Sequence, residues 1–243
     1  MKAFSELTKA NEIIDYQKRV LSRTGGRTSD EAQLYHYTDI KAMDNMTESG
    51  YMWLGPVANM NDILEAEIIH KAGIDDFYFT CFSRTNQNIA MFKMYAPYPS
   101  GVMISISLTD AKKMLDQKPL LVDGGKTTAE VVDTKLYWTS VCYKDIESNK
   151  ITTPGQENRR ISKPLMALAS AIKLSGWEYE KEVRLCGRAK LYPGQRLAVK
   201  LPEKINMVLC PGFDRTKYRK ELAALKAKGI EYEISQYDNW INY

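Results

Sequence analysis

The segment Trp177-Glu178-Tyr179-Glu180-Lys181-Glu182-Val183-Arg184-Leu185 carries two carboxylates two positions apart at the mouth of an expected strand. In extended backbone residues i and i+2 share a face, so Glu180 and Glu182 are expected to project together while Lys181 and Val183 point the other way. Two acids held that close cannot ionise independently. One pKa rises, and the pair becomes suited to proton handling or to stabilising a developing cation. A Glu-Lys-Glu run on a solvated strand edge or in a salt-bridged turn has the same spacing, so the spacing by itself leaves both readings open.

On either side of this segment, short strand and helix patterns alternate irregularly. Ser5 to Leu21 has helical apolar spacing and ends in the breaker Arg23-Thr24-Gly25-Gly26, which sets residues 1–30 apart as an N-terminal helix and loop ahead of a domain over 31–243. Strands are expected at Gln33–Tyr37, Tyr51–Leu54, Asp76–Phe82, Gly101–Leu108, Ala129–Thr134 and Leu136–Tyr143, then at Glu182–Gly187, Arg196–Lys200, Ile205–Leu209 and Glu231–Ser235. Helices are expected from the Thr38-Asp39 cap to Glu48, closed by Gly50, and over Ile63–Lys71, Asn86–Tyr95, Asp110–Gln117, Pro164–Leu174 and Tyr218–Lys228. Asn149 to Arg159, with Pro154-Gly155, reads as a loop. Intermixed elements without a βαβ rhythm predict an α+β fold rather than a doubly wound sheet.

The totals narrow the function classes. The chain has 243 residues, 44% hydrophobic and 26% charged, which is the composition of a globular protein with a sizeable core. It has no apolar run long enough for a membrane-spanning helix and no apolar signal-peptide core, so a cytoplasmic protein without a membrane partner is expected. Cys81, Cys142, Cys186 and Cys210 are scattered, form no CxxC pair and sit in apolar strand-like contexts. Buried reduced thiols are therefore expected, and with only two histidines no metal site. A net charge of +4 allows an acidic partner without requiring one. The pairs Gly25-Gly26 and Gly124-Gly125 lack the spacing and context of a Rossmann fingerprint or P-loop, so a bound nucleotide would need another architecture.

Several further motifs stand in order along the chain. They are His36-Tyr37-Thr38 on the first strand, Asn61-Asp62, Cys81-Phe82-Ser83 ending a later strand, Phe92 to Tyr95 on the following helix, and Trp177 with Glu180, Glu182 and Arg184. Each has an ordinary structural explanation: a hydrogen-bonded histidine among aromatics, or an i, i+3 aromatic stripe facing a core. As an ordered set they resemble the ADP-ribosyltransferase superfamily, through a large bacterial family with His-Tyr-Thr, Cys-Phe-Ser and Trp-x-x-Glu-x-Glu-x-Arg motifs. The likeness runs from about Leu34 to Ile234 and departs at Phe92, where many relatives are expected to have tryptophan.

That resemblance implies a split two-sheet core with surrounding helices, clasping NAD+ as a substrate. It implies mono-ADP-ribosyl transfer to RNA, DNA or protein by a bacterial or phage-related toxin or defence effector, and leaves open an antitoxin as a partner. Water as the acceptor would make the chain an NAD+ glycohydrolase, and loss of chemistry would leave a nucleotide- or protein-binding module. The implied cofactor-binding residues are His36 with Tyr37 and Thr38, Ser83 and Tyr95. His36 is expected on the adenosine ribose, Tyr95 stacked on nicotinamide, and Ser83 on the amide region or bracing Glu182. Glu182 is expected to stabilise the oxocarbenium ion, and Glu180 to face the acceptor as its base. Arg159, Arg160 and Lys163, with Tyr98, Trp138 and Tyr143 as stacking surfaces, would suit a nucleic acid.

Overall fold

Gln33-Leu34-Tyr35-His36-Tyr37-Thr38-Asp39 forms the first strand, β1 (Gln33–Asp39), of a computed structural model that describes residues 33–62, 65, 76–123, 126–131, 134–144 and 172–240. Its aromatic content suits a pleated, half-buried surface. The chain then passes directly into α1 (Ile40–Ser49), because Asp39 caps it. The Asp39 carboxylate accepts from the amides of Lys41 and Ala42 at 2.8 and 2.9 Å. Gly50 closes the helix at φ 74°, a left-handed conformation that favours a residue without Cβ.

Next come β2 (Tyr51–Pro56), β3 (Phe77–Ser83), α2 (Ile89–Tyr95), β4 (Gly101–Ser107) and α3 (Leu108–Leu115). The following strands are β5 (Leu120–Asp123), β6 (Lys126–Glu130), β7 (Tyr137–Ser140), β8 (Cys142–Lys144), β9 (Ile172–Leu174), β10 (Glu182–Arg188), β11 (Arg196–Lys200) and β12 (Asn206–Leu209). The chain closes with α4 (Arg219–Ala227) and β13 (Tyr232–Ile234). The architecture is α+β, as the sequence predicts, and no helix among the described residues is long and apolar enough to cross a membrane.

The strands are joined in the order β13-β12-β4-β1-β3-β2-β11-β5-β6, with β10 on the other edge of β3 and β7 beyond it. All pairings on this path are antiparallel except β12 with β13. β3 is where the sheet divides. One edge is covered by β10 along its whole length, from Glu182 opposite Ser83 to Arg188 opposite Phe77. On the other edge β1 meets it only at Tyr35 opposite Ser83, and β2 only at Gly55 and Pro56 opposite Phe79 and Tyr78. The β1 and β2 wings thus part beside Thr80, Cys81 and Phe82. The main core lies around β4, buried from Gly101 to Ile106, and takes in Ile40 and Met43 of α1, Met114 of α3 and Leu222 and Leu225 of α4.

Several expectations are corrected. Leu120–Asp123 is a strand that the sequence pattern did not reveal, and its partner is Lys126–Glu130 rather than Ala129–Thr134, with a bulge between Leu121 and Val122. The expected strand Leu136–Tyr143 breaks at Val141, whose amide donates instead to Glu182 O at 3.0 Å. The end of the expected helix Pro164–Leu174 is strand β9, paired in parallel with β8, so tertiary pairing overrides an apolar run that fits either structure. The N-terminal helix and 1–30 boundary, the Asn149–Arg159 loop, Arg160, Lys163 and the rest of Pro164–Leu174 lie outside the described residues, as does the Ile63–Lys71 helix apart from Glu65.

Gly101 shows how tightly β4 abuts the chain entering it. A Cβ at this position would lie 1.6 Å from the carbonyl oxygen of Ala96. Gly101→Ala is expected to cost about 3 kcal/mol or more, because the obstruction is backbone. Urea denaturation of both proteins checks this.

Candidate active site

The parting of the two wings is the mouth of a cavity of about 280 Å³, bordered by Trp53, Asn61 and Asp62 and lined deeper by His36, Cys81 and the acids of β10. His36 belongs to β1, yet its Nδ1 lies 2.7 Å from the carbonyl oxygen of Cys81 on β3. A carbonyl only accepts, so Nδ1 carries the proton and Nε2 of the neutral ring is an acceptor. Burial favours the neutral form and holds this imidazole below its ordinary pKa, against the opposing pull of the Cys81 carbonyl, which favours the protonated ring.

Below His36 lies a network of five buried charged side chains. Arg184, 1% exposed, grips Glu182 with two nitrogens, Nε to Oε1 at 2.7 Å and Nη2 to Oε2 at 3.0 Å. Its Nη1 donates to Glu65 Oε1. Lys173 Nζ bridges the acid pair, at 2.6 Å from Glu180 Oε2 and 3.1 Å from Glu182 Oε2. The Tyr95 hydroxyl donates to Glu180 Oε1, and the Cys81 thiol donates to Glu182.

The two acids of the pair are driven in opposite directions. Burial and the neighbouring Glu182 charge raise Glu180, against the opposing influence of Lys173 and Tyr95. Burial also pushes Glu182 up, but Arg184 and Lys173 outweigh it and hold this carboxyl well below the usual range. Glu65 is pushed up to about 7 by burial, with Arg184 only partly offsetting it.

The acids do meet, though not by strand alternation. Ser175–Glu180 is a turn of 3-10 helix, Lys181 takes a left-handed conformation at φ 45°, and only Glu182 begins the strand. Ser83 Oγ donates to the carbonyl oxygen of Glu180 at 2.6 Å and accepts from the amide of Thr85 at 2.9 Å. Ser83 therefore braces the Glu180 backbone rather than the Glu182 side chain. Lys181, whose ammonium pairs with Glu178 at 2.8 Å, faces solvent.

The remaining expected residues divide. Tyr37 borders the cavity, but its hydroxyl donates to Thr85 O at 3.0 Å and accepts from the amide of Asn88 at 2.9 Å, pinning the entry to α2. Thr38 is not among the lining residues. Tyr95 lines the cavity with its hydroxyl committed to Glu180, and both oxygens of Glu180 are engaged, by Tyr95 and Lys173. Trp138 is a core residue, its Nε1 donating to Ala111 O at 2.8 Å, and the Tyr143 hydroxyl accepts from the Glu182 amide at 2.7 Å. Neither is a free stacking surface, whereas Tyr98 is 56% exposed. Cys186 and Cys210 are buried thiols as expected, while Cys81 is half-buried at the cavity.

Lys173, Glu65 and the ionic role of Arg184 did not emerge from the sequence. Arg184 had a signal, since it sits two residues beyond Glu182 on one strand and shares its face. Glu65 had a weaker one: Asp62 Oδ1 accepts from its amide at 3.2 Å, a capping-type bond three residues on that the Asn61-Asp62 pair foreshadows. Among the described residues no cluster of three or more His, Cys, Asp or Glu side chains could hold a metal ion.

No family model matches the chain, and no curated protein matches it. A solved structure that aligns with it is Thermus sp. 2.9 DarT in complex with ADP-ribosylated ssDNA, at 11% identity over 88% of this chain and 98% of that one, with a TM-score of 0.38. Agreement that low carries no functional information by itself.

Arg184→Met is expected to cost about 3–5 kcal/mol, since it strands two buried carboxylates without their shared cation. Glu65 adds a pH signature. Its folded pKa of about 7 lies above the unfolded value, so its contribution to stability is complete below about pH 4.5 and falls as pH rises through 7. The stability of Glu65→Gln relative to the unsubstituted protein is therefore expected to rise by up to about 3 kcal/mol between those limits. Denaturant midpoints measured from pH 4 to 8 check both variants.

Proposed function

We propose that this protein is an NAD+-dependent mono-ADP-ribosyltransferase. The observation that carries the reading is a pair of buried carboxylates with opposed pKa displacements, set beneath a histidine held in its acceptor tautomer at the parting of two sheet wings. The ordered sequence motifs that resemble the superfamily supply its residues. A ribose hydroxyl of NAD+ can donate to His36 Nε2, which replaces a phosphate loop as the anchor of the dinucleotide. The cavity is at the small end of the roughly 300–1,000 Å³ typical of ligand pockets, which suits the nicotinamide riboside half.

The chemistry asks for stabilisation of positive charge. The bond between C1′ and nicotinamide breaks with its electron pair leaving on the ring, so a cationic heterocycle becomes neutral and the ribosyl carbon becomes an oxocarbenium ion. Glu182 stays ionised throughout because Arg184 and Lys173 hold its proton off, and its fixed negative charge faces that developing cation. Tyr95, Lys173 and Ser83 fix Glu180 beside it, so the pair needs no rearrangement as charge moves. In this reading the acceptor is a nucleic acid or protein group, and the chain is a toxin or defence effector.

Incubation with labelled NAD+ and, separately, cell protein, RNA and single-stranded DNA tests the proposal. Label is expected on one acceptor class, with Glu182→Gln losing about 10²-fold or more in transfer while still binding NAD+. Free ADP-ribose with no labelled macromolecule would make water the acceptor. Absence of nicotinamide release in every mixture would sink the enzymatic reading.

A further inference from the structure

Glu65 is the acid of this site without a complete set of partners. Its side chain is 2% exposed and lines the cavity, and its Oε1 is taken by Arg184. Its Oε2 is buried with no hydrogen-bond partner among the described residues. Leaving a buried polar oxygen unsatisfied is costly and rare, so one that borders a cavity points to a donor supplied by a ligand. Glu180 and Glu182 differ, since both oxygens of each are engaged by Tyr95, Lys173 or Arg184.

Charge gives a second, independent argument. Among the described residues, with Glu65, Glu180 and Glu182 ionised against Lys173 and Arg184, three negative charges face two positive ones. The site therefore holds one charge to be neutralised by a proton or a cation. The charged and titratable groups acting on Glu65 among the described residues are Arg184 and Glu182 of β10 and Lys173 of β9, with the neutral Cys186 thiol nearby. Among these, burial holds Glu65 up to about 7, so it exchanges its proton near neutrality.

We propose, on the transferase reading above, that Glu65 is the general base of the transfer and that its Oε2 receives the proton of the acceptor nucleophile. As nicotinamide departs with the electron pair of its glycosidic bond, a lone pair of the acceptor forms the new bond to C1′. The proton on the attacking atom passes to Glu65 Oε2, which becomes a neutral carboxylic acid and removes the surplus negative charge. It returns to solvent when the product leaves. The acceptor class follows. It is a group whose attacking atom carries a proton, such as a guanidine, an amide, a base N–H or a hydroxyl, and not a phosphate or carboxylate oxygen, which has no proton to give and would add a like charge.

The test compares the full chain with Glu65→Gln and Glu180→Gln, using labelled NAD+ with single-stranded DNA and cell protein as separate acceptors, across about pH 5.5 to 8.5. Transfer by the unsubstituted protein is expected to rise with pH through about 7. Glu65→Gln is expected to lose about 10²-fold or more and to lose that rise, with NAD+ affinity changed less than about threefold, while Glu180→Gln keeps the rise whatever its rate. A pH-independent rate in the unsubstituted protein, a reading that needs no variant to fold, would overturn the role of Glu65 and leave the transferase reading standing. So would a Glu65→Gln rate within about threefold of the unsubstituted one. Failure of the unsubstituted protein to release nicotinamide with either acceptor would overturn both.

Discussion

The site depends on the guanidinium of Arg184, which joins Glu182 and Glu65, all three side chains being almost fully buried. Burying five ionisable groups together is expensive, and the Coulombic attraction between them repays it only when the geometry is good. Arg184 provides that geometry through a planar fork whose nitrogens reach both acids without bending the strand that carries it. Arg184 also stacks over Phe79, with its central carbon 5.0 Å from the ring centroid, so one face of the cation rests on β3. A lysine here would give one point of charge where three directed donors are needed.

The sheet makes room for this network by failing to close. β1 and β2 each touch β3 at one end, and the gap between them would leave a backbone carbonyl without a ladder partner. The imidazole of His36 takes that place on Cys81, so the residue that satisfies the fold's open carbonyl is also the one whose second nitrogen faces a ligand role. On the proposed reading, fold maintenance and recognition are therefore combined in one ring, and the tautomer is set by the scaffold.

Much of this was legible where local chemistry decides local structure. Asp39 and Gly50 mark both ends of α1, Asn88 caps α2 with its side chain accepting from Ala90 and Met91, and the strand Arg196–Lys200 falls where its short apolar run places it. The pairing of Glu180 with Glu182 was also legible, but for a reason that does not hold. The acids converge because Lys181 adopts a conformation uncommon for a side-chain-bearing residue, and nothing in a Glu-Lys-Glu triplet announces that. Lys173 was hidden because an apolar stretch before Trp177 reads as helix, and its strand pairing with β8 is a long-range event. Glu65 was hidden because its partner Arg184 lies 119 residues away.

That separation gives the protein a temporal property. His36, Glu65, Ser83 and Tyr95 all precede, along the chain, both members of the acid pair and Arg184, the cation that joins Glu65 to Glu182. A ribosome that has not yet released β10 holds a polypeptide whose pocket residues face no counter-ions and whose β3 lacks its fully paired neighbour. The paired charges thus form only once β10 has joined β3, and a chain ended before β10 lacks the network altogether rather than holding a weakened one.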